Sequence, residues 1–170
     1  MNAMTNPQRA QKVALIVDDV EDNRVLLDRA LKSSGYATIL AESGREALAI
    51  ISTQVPDIVL LDWMMPQLSG LETLRATREM HSSARLPVIM CTAINEEMSV
   101  VAAIGAGAND YMTKPISLPI LRARMAAHLE QRATIDALDN EKASAERKLR
   151  EQTRALFDRV NDMADKASKP

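Results

Sequence analysis

Four short apolar runs in this sequence end on groups able to do chemistry: IVDDV on Asp18 and Asp19, LLDWMMPQLSG on Asp62, VIMCTA on Thr92 and DYMTKP on Lys114. If those ends lie side by side, carboxylates, a hydroxyl and an ammonium share one hollow. Crowded carboxylates repel, so one must take up a proton or the group must share a cation. A hard divalent ion answers that need. Magnesium prefers oxygen ligands and is typically held by one or two carboxylates beside a phosphate. Lys114 would then pair with phosphate, Thr92 would donate its hydroxyl, and Asp62 would act as a nucleophile toward phosphorus, giving an aspartyl phosphate. Each residue also has a plainer reading: Asp18 and Asp19 as helix caps, Asp62 as a turn residue, Thr92 as a strand-end hydroxyl and Lys114 as a solvated loop charge. The joint pattern outweighs these, because separate strand ends would all have to imitate one site.

The elements that must position these groups follow from the hydrophobic pattern. VALIV (13–17), ATILA (37–41), DIVLL (57–61), PVIMC (87–91) and NDYMT (109–113) read as strands. Stretches of helical period lie between them, at about 21–34, 43–54, 69–80, 96–105 and from 117 onward. Ser43, Ser69 and Ser117 stand where caps belong, with Pro119 in a first turn. Alternating strands and helices imply an α/β, doubly wound parallel sheet with right-handed crossovers. Its strands should be apolar throughout, as LIV, IVLL and VIM are. Ligands gather outside the carboxyl ends of such strands, where the polar groups stand.

Taken in order, VDD, LLDWMMPQLSG, CTA and DYMTKP resemble the receiver domain of two-component response regulators (CheY-like) over residues 12 to about 122. The resemblance implies a flavodoxin-like five-stranded parallel sheet of order 2-1-3-4-5 with five helices, the last continuing into a long C-terminal helix. It implies that Asp62 accepts a phosphoryl group from a phosphohistidine on a sensor histidine kinase or histidine phosphotransfer protein. Mg²⁺ would be held by Asp19 and Asp62, by the backbone carbonyl of Met64, and by Asp18 largely through water. Lys114 would salt-bridge the phosphoryl group, with a cis bond to Pro115. Thr92 and Tyr111 would form the switch pair, repacking the face of the fourth helix, fifth strand and fifth helix. Tyr111 as plain packing is its simpler reading. Met64 and Ile94 occupy positions that influence acyl phosphate hydrolysis in this family. Both are apolar, so a long-lived phosphorylated state is expected. Trp63 reads as a surface aromatic beside the site, and His81 and His128 receive no role.

Composition bounds the remainder. The chain has 21 basic and 23 acidic side chains, so its net charge of -2 offers no broad footprint for nucleic acid or an anionic membrane. Neither partner is expected. The lone Cys91, in PVIMC, cannot form an internal disulfide and fits a reduced, cytoplasmic setting. No export signal or membrane span is evident.

Residues 1–11 read as a flexible N-terminus, 12–120 as the receiver domain, 121–165 as a long helix and 166–170 as a disordered tail. No Gly or Pro interrupts the sequence between Pro119 and Pro170. A heptad line runs through Leu121, His128, Ile135, Lys142, Leu149, Leu156 and Met163, although its companion positions shift. This suggests a homodimer through a parallel coiled coil, the face around the fifth strand, or both. A solvated single helix or one folded back is the plainer outcome. The chain reads as a signalling switch rather than an enzyme. Alternatives are a receiver and linker belonging to a larger regulator with a catalytic output such as a diguanylate cyclase, and a constitutive coiled-coil scaffold. A phosphohydrolase of the haloacid dehalogenase type would need an Asp where Met64 stands.

Overall fold

The computed structural model describes residues 11–93 and 97–167, with side chains described for 11–93 and 100–159. Strands and helices alternate as β1 (Val13–Val17), α1 (Glu21–Lys32), β2 (Ala37–Ala41), α2 (Gly44–Thr53), β3 (Ile58–Asp62), α3 (Gly70–Met80), β4 (Val88–Thr92), α4 (Glu97–Gly105), β5 (Asp110–Thr113) and α5 (Leu118–Ala167). The sheet has the order β2-β1-β3-β4-β5, with every neighbouring pair parallel. This is the expected flavodoxin-like, doubly wound arrangement.

Continuous apolar strands follow from burial on both faces. On one face Leu15, Val17, Val59, Leu61 and Met90 pack with Ala47 and Ile51 of α2, Leu74 of α3 and Ala103 of α4. On the other, Ala14, Ile16, Ile58, Leu60 and Ile89 meet Leu27 and Leu31 of α1 and Leu121, Met125 and Leu129 of α5. Ser43 caps α2 by accepting the Glu46 N–H, and Ser69 with Glu72 forms a full capping box on α3. Such caps satisfy backbone donors that the helix itself leaves open.

Arg78, near the end of α3, is half-buried and donates to carbonyl oxygens of Gly107 (2.7 Å), Leu86 (2.9 Å) and His81 (3.4 Å), and to Asn109 Oδ1 (2.9 Å). Burial lowers its pKa to about 10, so it remains charged at neutral pH. Its planar fork ties the start of β4 to the turn before β5.

Two compact units divide at Arg132 rather than at the expected residue 120. The reason is packing: Leu121 and Met125 are wholly buried and Leu129 is 8% exposed, one helical turn apart on α5. Burying each contributes about 1.5–3 kcal/mol. Arg132 closes this unit by donating to the carbonyls of Pro56 (3.1 Å) and Asp57 (2.8 Å). The second unit is helical as far as Ala167, past the expected end at 165, and every residue from 137 to 159 is exposed. Residues 1–10 of the expected flexible terminus and 168–170 of the expected tail lie outside the described residues. No described helix is long and apolar enough to cross a membrane.

Candidate functional site

Strand register brings the chemical groups to one edge. Val17 pairs with Leu61, Asp62 with Cys91, and Thr92 with Thr113, so the residues that end or follow β1, β3, β4 and β5 emerge together. Asp18, Asp19 and Asp62 each offer a carboxylate oxygen, all within 4.8 Å of one another. Asp18 and Asp62 are buried, whereas Asp19 is exposed. Lys114 enters from the end of β5, its Nζ 2.7 Å from Asp18 Oδ2 and 2.9 Å from Asp62 Oδ1. Its backbone N–H donates to the Thr92 carbonyl at 2.7 Å, and its bond to Pro115 is cis.

Burial pushes the Asp62 carboxyl above its ordinary 3.8; the Lys114 ammonium pulls it back, and the neighbouring Asp18 charge pushes it further up. For Lys114, burial alone would depress the pKa, but its contacts with Asp18 and Asp62 outweigh that and hold it above 10.5. An ammonium thus already shares the two buried carboxylates. The donor set is oxygen only, and its excess negative charge is partly balanced by an internal cation, which fits a hard divalent ion. Beneath the site, Cys91 is fully buried and its thiol is pushed up to about 12.

The loop after β3 wraps closely around the Asp62 backbone. The Trp63 N–H donates to Asp62 Oδ1 at 2.9 Å, and the Gly70 N–H to the Trp63 carbonyl at 3.0 Å. A methyl group on Gly70 would lie 2.0 Å from the Asp62 carbonyl oxygen, so only glycine lets α3 start this close. Trp63 is half-buried and packs against the core rather than standing on the surface. The cluster it joins includes Met65 of the same loop, itself 8% exposed. With Asp19, Met64, Met65, Pro66 and Ser69, Trp63 lines a cleft of about 450 Å³ beside Asp62. Met64 is 60% exposed; Ile94 lies outside the described residues.

Thr92 is buried at the end of β4. Tyr111 is half-buried on β5, opposite Met90, and packs against the core. Other groups carry no sequence signal. Asn23 Nδ2 donates to both oxygens of Asp18 (3.0 and 3.1 Å), and Arg24 Nη1 to the Asp18 carbonyl (2.6 Å). His128 Nε2 lies 3.3 Å from Asp110 Oδ2, and Arg124 pairs with the same carboxylate. Asp110 is thereby held below the ordinary carboxylate range: burial pushes it up, but Arg124, the Tyr111 N–H and His128 outweigh that.

The sequence profile of the family described as response regulator receiver domain matches residues 14–126. Among curated proteins, the phosphate regulon transcriptional regulatory protein PhoB of Pseudomonas aeruginosa is 40% identical over 120 residues, covering 71% of this chain and 52% of that protein. The response regulator MprA of Mycolicibacterium vanbaalenii is 44% identical over 117 residues, covering 69% and 50%. The chain thus spans about half the length of the curated relatives it matches. Among solved structures, a CheY-like receiver domain protein from Methanospirillum hungatei superposes with a TM-score of 0.69 at 26% identity, covering 74% of this chain and 98% of that one. A two-component system response regulator/GGDEF domain protein gives a TM-score of 0.69 at 27% identity, covering 72% and 51%.

Proposed function

The chain belongs to the response regulator receiver domain family, and on that premise we propose that it is a phosphorylation-activated switch whose phosphoacceptor is Asp62. One observation carries this reading: the Lys114 ammonium lies between the Asp18 and Asp62 carboxylates, at 2.7 and 2.9 Å, with Asp19 beside them. An Asp62 oxygen attacks phosphorus of a phosphohistidine on a sensor histidine kinase or histidine phosphotransfer protein. The P–N bond breaks, the imidazole leaves with its electron pair, and an acyl phosphate forms on Asp62. Lys114 turns its charge to the phosphoryl oxygens, and Thr92 donates its hydroxyl to them. Asp19, Asp62 and the Met64 carbonyl would hold Mg²⁺, with Asp18 acting largely through water. When bound, the ion supplies positive charge that offsets the crowded carboxylates and the phosphoryl oxygens.

The test is intact-mass measurement after incubation with acetyl phosphate, with and without Mg²⁺. A single phosphoryl adduct that needs Mg²⁺ is expected; its absence in both conditions removes the reading. Because Met64 offers no polar group to orient an attacking water, the adduct should outlast the incubation after donor removal. Decay as fast as that of the fastest chemotaxis regulators counts against the long lifetime.

Output belongs to the same proposal. Thr92 and Tyr111 form the switch pair and repack the α4-β5-α5 face, and α5 transmits the change as dimerisation or altered helix register. The second unit favours a dimer, because Leu138, Leu149, Leu156 and Phe157 are each 59–66% exposed, a solvent cost that a coiled coil removes. Light scattering with far-UV circular dichroism should show greater mass or helicity with Mg²⁺ and beryllofluoride. Identical values in both states favour the constitutive scaffold. The half-length coverage of relatives, including the GGDEF domain protein, favours a second reading in which this receiver and helix serve a longer regulator with a catalytic output. Cytoplasmic residence accompanies either reading.

A further inference from the structure

Helix α1 begins without a side-chain cap, because its N-cap residue is Val20. The Val20 N–H goes instead to Asp18 Oδ1 at 2.9 Å. A polar side chain at the third helical position ordinarily reaches back to the cap's own N–H. Asn23 occupies that position, and its amide is spent on Asp18, donating to Oδ1 at 3.0 Å and to Oδ2 at 3.1 Å. Lys114 also donates to Oδ2, at 2.7 Å. Asp18 therefore has donors on both oxygens, and the group straddling them is Asn23, which fixes rotation of the carboxylate about its Cβ–Cγ bond. Asp19 contrasts with it: the carboxylate is exposed, and no partner holds it among the described residues.

We propose that Asn23 is a positioning residue for the Mg²⁺ site, holding the Asp18 carboxylate at the angle the ion and its waters require. The inference rests on the functional reading above. Partners of this kind, outside the ligands themselves, typically change metal affinity 10- to 100-fold. A fixed carboxylate loses no rotational freedom when the ion arrives, whereas a free one must be ordered at that moment.

The test uses the full chain and Mg²⁺ alone, followed through the fluorescence of Trp63, the single tryptophan, which shares a cleft with Asp19. Asn23→Ala should weaken Mg²⁺ binding roughly tenfold, with the metal-free melting temperature little changed. Asn23→Ser, which keeps a short donor, should fall between, and it also serves if the alanine variant folds poorly. The rate of adduct formation from acetyl phosphate should drop at limiting Mg²⁺ and recover at saturating Mg²⁺. A folded variant whose Mg²⁺ affinity stays within about twofold of wild type overturns the proposal. So does a rate deficit equal at both Mg²⁺ levels, the mark of a merely structural role. If the wild-type chain takes up no Mg²⁺, the functional reading itself falls and this inference with it. If wild type binds Mg²⁺ and forms the adduct while Asn23→Ala matches it throughout, only the inference is lost.

Discussion

Asp62→Asn is expected to abolish the phosphoryl adduct while leaving the protein folded and at least as stable. An amide has nearly the shape of a carboxylate but cannot supply the nucleophilic oxygen, so no reduced rate should remain to be measured. The stability half follows from the sign of the pKa shift. The folded pKa of Asp62 lies above the ordinary 3.8, with burial as the first cause. Protonation therefore favours the fold: that contribution is fully present below 3.8 and lost as pH rises through the raised value. At neutral pH the ionised carboxylate is a net cost, which the neutral amide removes. Intact mass and thermal melting on one preparation check both halves. An adduct retained at wild-type level means that phosphate enters elsewhere; a melting temperature lowered by many degrees means that Asp62 is chiefly structural.

Gly70→Ala should produce the largest loss of stability from a single added methyl group. Helix propensity alone predicts a gain of up to about 1 kcal/mol, since alanine is the better helix former. Geometry reverses the sign. The new Cβ would lie 2.0 Å from the Asp62 carbonyl oxygen and 2.9 Å from the Trp63 Cα, both backbone atoms that cannot swing aside. Forced relaxation of this kind costs about 1–3 kcal/mol, and here the upper end is expected. The melting temperature should fall by roughly 10 °C for a domain of this size. Adduct formation should slow as well, because the displaced backbone carries Asp62 itself. Gly105→Ala is the control: apart from its chain neighbours and its own helix backbone, no atom lies within 4 Å of its added Cβ, so it should be neutral or slightly stabilising. Equal melting temperatures for both variants would show that the α3 start has room to yield.

What the sequence made legible was whatever repeats along a strand or stands at its end. IVLL and VIM announce burial on both faces because parallel strands leave no polar alternation, and Asp62, Thr92 and Lys114 stand out because polar groups end those runs. Ser69 stands out as a helix cap, and the structure adds Glu72, which completes a capping box with it. The supporting groups were not legible. Asn23 looks like any polar residue in a first helical turn, and its hold on Asp18 exists only once α1 folds back over the end of β1. Arg78 looks like a surface charge on an amphipathic helix until the turn at Gly107 arrives beneath it. Leu129 shows the same limit: it stands off the heptad line through Leu121 and His128, and only the sheet decides that the body extends to Arg132.

Cys91, enclosed in the sheet with its thiol near 12, leaves the folded chain with almost no reactive sulfur at neutral pH. Maleimides and nitroxides would therefore find no native target, and the wild-type background serves for site-directed tagging without prior removal of a cysteine. Leu149→Cys and Phe157→Cys, about two turns apart on α5, then become rulers. Which of them crosslinks between copies, and whether beryllofluoride changes that choice, reports helix registry directly.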